Sequence, residues 1–155
     1  MLIRFAEEKD LEQINELRKQ VNVLHTAAEP EIFKPGFPAE LRDYVHTILY
    51  DPEKKIVAAE SNGAICGFAI LHHIHKPETP YMFVREYLDI DEFCVDQRYR
   101  RQGIGSELIR YIRAYAKETG FHRIELNMWE FNRGAQAFYE AADFRTFRRY
   151  MEMFV

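Results

Sequence analysis

Leu11, Ile14, Leu17, Val21 and Leu24 recur at steps of three and four. That spacing predicts a helix from about Lys9 to Leu24 with one apolar face. Asp10 lies near its start, where a carboxylate suits the helix dipole. Ahead of it, Leu2 to Phe5 reads as a short strand. Pro30, Pro35, Gly36 and Pro38 break the next stretch into a loop. A second helix starts near Pro38, carries Leu41, Tyr44, Val45, Ile48 and Leu49, and stops at Asp51-Pro52. Lys55 to Ser61 and Ala64 to His73 form two strands about Asn62-Gly63, a dipeptide suited to a tight hairpin.

Arg85 to Val95 reads as a strand whose alternation changes phase. Leu88 and Ile90 are apolar at even positions, Phe93 and Val95 at odd ones. A pleat of period two cannot bring both pairs to one face unless an extra residue lies between them. A β-bulge near Asp91 or Glu92 supplies that residue; the alternative is a strand buried on both faces. Beyond it, Ile104, Leu108, Ile109, Ile112 and Ala116 mark a helix over Ser106 to Glu118 that Gly120 ends. Arg123 to Trp129 is expected as a strand, Asn132 to Ala142 as a short helix, and Phe144 to Phe154 as one or two closing strands. Helices and strands in this order make a mixed sheet with helices on its faces. No repeat or linker divides the chain, so 1–155 is expected to form a single domain.

A chain of 155 residues that is 47% hydrophobic can bury a core without disulfide or metal support. The net charge of −4 and the absence of a dominant basic stripe argue against a nucleic-acid partner. No apolar run is long enough to span a membrane. Two cysteines, Cys66 and Cys94, both in apolar runs, fit a reducing, cytoplasmic setting. His72, His73 and His75 lack a second ligand cluster, and a strand would send His72 and His73 to opposite faces, so no metal site is expected.

Arg100-Arg101-Gln102-Gly103-Ile104-Gly105 joins the phase-shifted strand to the third helix. Glycine permits a tight turn and close approach of a ligand to the backbone. The amides of Gln102, Gly103, Ile104, Gly105 and Ser106 would lie at a helix N-terminus, which attracts phosphate. Arg100 and Arg101 add forked cationic donors. The segment lacks the third glycine of a dinucleotide fingerprint and the Gly-Lys-Ser/Thr of a P-loop.

At these residues the chain resembles the GNAT superfamily of N-acyltransferases. The signature turn, Arg/Gln-x-x-Gly-x-Gly/Ala, is matched by Arg100 to Gly105, and the approach to it by Asp91 to Arg100. Asn132-Arg133-Gly134-Ala135-Gln136-Ala137-Phe138-Tyr139 resembles a second motif of that family, Asn-x-x-Ala-x-x-Phe-Tyr. The resemblance spans about Leu88 to Phe144. It departs at Asp143-Phe144, where Gly-Phe is common. It implies an α/β (α+β) fold: a mixed, mostly antiparallel sheet with a splayed, bulged central strand and helices on both faces.

The implied co-substrate is acetyl-coenzyme A. Its pyrophosphate would lie on the turn from Arg100 to Ser106. Its pantetheine arm would pair with the backbone of Phe93, Cys94 and Val95, and Asn132 would bond nearby. The implied reaction transfers an acetyl group to a small-molecule or peptide amine. A non-catalytic coenzyme A sensor of the same fold is the alternative, but an acid and a phenol beside the turn favour the enzyme.

A lysine-like amine is mostly protonated at neutral pH, so a base must take its proton. Glu92 is the first candidate, with Asp91 and Asp89 as competitors. Tyr139 holds the family position of the proton donor to the leaving thiolate. An amide of Cys94 or Val95 is placed to polarise the thioester carbonyl. A covalent route through Cys94 lacks an adjacent histidine to activate it. His25 and Phe33 flank the loop expected to border the amine pocket, with Asp91 close by. The final strand, Tyr150 to Val155, offers an edge for pairing in a homodimer.

Overall fold

In the computed structural model, which describes residues 1–155, five strands pair in sequence order. They are β1 (Leu2–Phe5), β2 (Lys54–Ser61), β3 (Ala64–Lys76), β4 (Arg85–Val95) and β5 (Ile124–Leu126). Neighbours are antiparallel except β4 and β5, which run parallel. Helices α1 (Leu11–Ala28) and α2 (Ala39–Leu49) cover one face, packing Leu11, Ile14, Leu17, Val45 and Ile48 against Ile56, Phe68, Ile70 and Cys94. On the other face α3 (Ile104–Glu118) packs Leu108, Ile109 and Ile112 against Val57, Ala69, Leu71, Leu88 and Ile90. Helix α4 (Arg133–Ala141) joins this face through Phe138 and Tyr139. The expected fold class is the one observed. No helix is long and apolar enough to cross a membrane.

Local chemistry explains the turns. Asn62 and Gly63 both adopt positive φ, 51° and 78°, which a two-residue hairpin of the favoured twist requires. Asp143, where a glycine is common in the family the sequence resembles, has φ 67°. Aspartate tolerates that left-handed conformation better than most side chains, so the departure leaves the turn after α4 intact.

The phase change in β4 is a one-residue bulge. Ile70 pairs with Glu92 but Leu71 with Ile90, which leaves Asp91 as the extra residue. Leu88, Ile90, Phe93 and Val95 consequently all face the α3 side, while Glu92 and Cys94 turn toward α1. Pairing between β4 and β5 stops at Ile90 and Leu126, so the sheet opens just where the bulge begins. A second bulge, at Cys66, shifts the β2–β3 register between Ala59 and Glu60.

Strand β3 runs past its expected end at His73 to Lys76, α3 starts two residues before Ser106, and three larger departures stand out. Helix α1 runs one turn further, to Ala28, because nothing before Pro30 breaks it. Strand β5 is three residues long rather than spanning Arg123 to Trp129, since it loses its β4 partner at the bulge. Residues 144–155 form no strand, so the edge expected to pair across a homodimer is not built within this chain; Tyr150, Met151, Met153 and Phe154 stand exposed.

The start of α1 is fixed by charge. Arg4 on β1 donates to Asp10 at 2.6 and 3.0 Å and to Glu60 on β2 at 2.6 and 3.0 Å. Asp10 also accepts from the Glu7 amide at 2.8 Å, and hydrogen bonding to Arg4 holds its carboxyl below the usual carboxylate range. Removing one member of such a buried pair costs about 3 kcal/mol. Asp10→Ala is expected to lower unfolding free energy by about that amount in urea titration. Because the folded pKa of Asp10 is depressed, its contribution is complete above the unfolded value of about 4 and is lost as pH falls through the folded one. The wild-type and Asp10→Ala stabilities should therefore converge toward strongly acidic pH.

Candidate active site

Beyond the bulge β4 has one paired edge and one open edge. The Asp96 amide donates to the Cys66 carbonyl at 2.9 Å across β3. Strand alternation then turns the backbone of Cys94 toward β3 and that of Phe93 and Val95 toward the side β5 has left. Of the two amides expected near a thioester carbonyl, that of Val95 faces the opening and that of Cys94 does not. The Val95 carbonyl accepts from Arg100 Nε at 3.2 Å, which ties the basic turn to this edge.

The turn itself leads into α3. Gly103 is the N-terminal boundary residue at φ 83°, and Glu107 N–H makes the first helical bond to its carbonyl at 3.0 Å. The amides of Ile104, Gly105 and Ser106 precede that bond, and no side chain caps them. A Cβ on Gly103 would meet nothing within 4 Å, so the space above these amides is open. Arg100, Arg101 and Gln102 are exposed beside it. Three free amides at the positive end of the α3 dipole, with two arginines beside them, are an arrangement suited to an anion.

The second glycine also serves packing. A Cβ on Gly105 would sit 2.9 Å from the Phe138 ring, so this residue lets α4 approach α3. That approach places Tyr139, whose ring lies 6.0 Å from Phe93 and 5.5 Å from Phe144. Burial, with the nearby Cys94 thiol, pushes the Tyr139 phenol well above its ordinary value. Asn132 begins α4, and its Oδ1 accepts from the Ala135 amide at 3.1 Å. Its oxygen is therefore committed to the helix cap, and its amide nitrogen is what remains for a ligand.

Acidic groups gather on the α1 side of the opening. Both oxygens of Glu92 are held by Arg18, Nε to Oε2 at 2.8 Å and Nη2 to Oε1 at 2.9 Å. Asp91, the bulged residue, accepts from the Tyr44 hydroxyl at 3.4 Å. Asp89 lies opposite Glu125 of β5. Glu125 is paired with Arg85 and Arg123, whereas Asp89 has no cation or donor of its own. Burial, reinforced by Asp91 and Glu125, raises Asp89 to about 6. Cys94 points its Sγ at the Leu17 carbonyl at 3.8 Å, and burial pushes its thiol up to about 12, which removes the thiolate a covalent route needs.

Four rings close the outer end on the acid side. His25 stacks on Phe33 at 4.8 Å, Phe33 meets Trp129 at 5.1 Å, Trp129 stacks on Phe131 at 6.2 Å, and Phe131 returns to His25 at 5.8 Å. The cycle joins the end of α1 to the loop after β5 across the gap. Burial lowers the His25 pKa, opposed by the charge of Glu92. His25 and Phe33 are thus in contact within this wall. Trp129, Phe131, Tyr44 and Arg18 were not anticipated, because their partners lie far along the chain and no local spacing marks them.

The sheet thus splits beside an acid cluster, with an uncapped helix N-terminus at the other end of the split. The model of the acetyltransferase (GNAT) family matches residues 18–144, and the chain belongs to that family. The BH1408 protein of Bacillus halodurans, solved as a tetramutant, aligns over 100% of both chains at 26% identity and TM-score 0.95. An acetyltransferase from Vibrio fischeri aligns over 83% of this chain and 97% of its own, at 26% identity and TM-score 0.65. The aminoglycoside N-acetyltransferase AAC(6')-Iy, in complex with a bisubstrate analogue of coenzyme A and acetylneamine, shares the fold at 19% identity. It matches 99% of this chain and 97% of its own with TM-score 0.78. Among curated proteins no sequence match is found.

The two glycines are separable by experiment. Gly105→Val is expected to cost about 1–3 kcal/mol of stability through overpacking against Phe138. Gly103→Ala, with open space but a left-handed φ, should cost about 1 kcal/mol. Urea unfolding of both variants reads the difference.

Proposed function

We propose that the protein is an N-acetyltransferase that carries an acetyl group from acetyl-coenzyme A to a primary amine by direct attack in a ternary complex. The observation that carries this reading is the continuous path from the uncapped α3 N-terminus, along the open backbone edge of Phe93 and Val95, to the acids at the bulge. Coenzyme A supplies an activated thioester at the inner end of that path. Ile104, Gly105 and Ser106 offer amides to the pyrophosphate, Arg100 and Arg101 add charge, and Phe93 and Val95 pair with the extended arm. The Asn132 amide nitrogen lies on the same side.

The amine arrives from the α1 side, past His25 and Phe33. Its nitrogen forms the new bond to the acetyl carbon as the carbon–sulfur bond breaks. The Val95 amide faces the carbonyl oxygen on which charge develops. Asp89 takes one proton from the ammonium, directly or through water, and passes it to solvent; the second proton, which the nitrogen sheds as the amide forms, ends on the thiolate. This assignment departs from the first candidate, Glu92, because both Glu92 oxygens are engaged by the Arg18 fork while Asp89 is free. Glu92 and Asp91 face the incoming ammonium as fixed acceptors. The Tyr139 hydroxyl donates a hydrogen bond to the departing thiolate. Burial disfavours its phenolate, so the proton is present throughout the neutral range.

Two variants and a melt test the reading. Acetyl-coenzyme A should raise the melting temperature of the wild type by mass action; an unchanged melt at excess cofactor defeats the proposal. Tyr139→Phe should retain that shift and lose about 10²-fold or more in turnover.

Asp89 must be deprotonated to act, so kcat/KM should rise with pH through about 6. Asp89→Asn should abolish that limb. A raised carboxyl pKa means that the folded state holds its proton more tightly than the unfolded chain. Its penalty on stability therefore grows as pH rises from about 4 to about 6. Asp89→Asn should accordingly unfold at higher urea than the wild type at pH 7, while losing activity.

A further inference from the structure

Arg18 is a charged side chain, 6% exposed, in the middle of α1. Four of its hydrogen bonds are made within the protein. Nε and Nη2 grip Glu92; Nη1 donates to Asn15 Oδ1 at 3.1 Å and to the Leu41 carbonyl of α2. Its guanidinium plane lies 5.5 Å from the ring centroids of both Phe37 and Tyr44. Asn15 is itself tied to the Arg42 carbonyl at 3.0 Å, so the group is bolted to α2 from two sides.

Burying a guanidinium is costly unless its donors are met, and the helix gains nothing from it that a leucine would not supply. The arrangement instead fixes one atom group in space. Glu92 is 74 residues away in sequence, directly after the bulged residue, and the extra residue turns its side chain toward α1 instead of toward the α3 face. A carboxylate has about four lone-pair positions, and a two-pronged fork leaves others directed away from it. The Glu92 side chain stays 28% exposed despite the fork, and its charge is felt at His25 of the ring wall.

We propose that Arg18 is a positioning residue for the amine acceptor: it locks Glu92 at the bulge so that the free side of this carboxylate receives the ammonium or amine nitrogen. The proposal rests on the transferase reading for the identity of the ligand, and on the Arg18 contacts for the geometry. A lysine at position 18 would keep the charge but lose the fork, because an ammonium is a point donor.

The experiment uses the full chain with coenzyme A bound. Dissociation constants for neamine, spermidine and tyramine are measured by calorimetry, and acetyl transfer from acetyl-coenzyme A to the same amines is followed by thiol release. For the amine that binds the wild type best, Arg18→Lys and Glu92→Gln should each weaken binding and raise KM by about tenfold or more. The change in kcat should be smaller, and the stabilisation by coenzyme A unchanged. The double variant should be no worse than the weaker single variant, since both remove one interaction. Multiplying effects in the double variant, or an acceptor KM untouched by Arg18→Lys, would overturn the proposal. So would wild-type binding of none of the three amines at millimolar concentration. If Arg18→Lys unfolds, Glu92→Gln alone decides: unchanged amine affinity refutes the anchoring role. Amine binding that depends on Arg18 without any thiol release would refute the transferase reading and leave this one standing.

Discussion

A single extra residue in β4 organises this molecule. Asp91 has no partner on β3, and its insertion lets four apolar side chains, Leu88, Ile90, Phe93 and Val95, share one face of the sheet. The same insertion turns Glu92 toward α1 and coincides with the loss of β5 as a neighbour. A regular strand could satisfy the core or open an edge, but not both. The bulge does both at once, and the basic turn, the acids and the α4 tyrosine are arranged about the gap it leaves.

The two faces of the sheet divide the work. On the α3 side packing is close, as the contact between Gly105 and Phe138 shows, and it sets the position of Tyr139. On the α1 side polar groups are bound into long-range pairs, Arg4 with Asp10 and Glu60 at one end of the helix and Arg18 with Glu92 further along. Buried pairs of this kind add little net stability compared with apolar packing, but they fix orientation. The α3 side is therefore shaped by van der Waals contact and the α1 side by charge.

The same contrast decides what could be read from the chain. The β4 bulge was legible because Asp89, Asp91 and Glu92 interrupt the apolar positions and expose the phase change. The bulge at Cys66 was not, because Ile65 to Leu71 is apolar or glycine throughout and carries no phase. The turn from Arg100 to Gly105 was legible through its glycines, although Gly105 serves packing against a helix 30 residues on. The helix cores and the β2–β3 hairpin followed from apolar spacing and from Pro, Gly and Asn-Gly signals, although α1 overruns its expected end by a turn. The strand expected at the C-terminus is not formed: residues 144–155 pair with no strand of this chain. Arg18 was invisible as a site residue: a helical arginine reads as a solvated face until its carboxylate partner is brought beside it by the fold.

Trp129 is the sole tryptophan of the chain, is 40% exposed, and belongs to the ring cycle that joins the two lips of the gap. Its indole is thus a built-in optical reporter. Selective excitation sees this one location and nothing of the core, and anything that parts Phe33 or Phe131 from it alters its surroundings. The intrinsic emission of the native protein can therefore follow these two lips in real time, without a label.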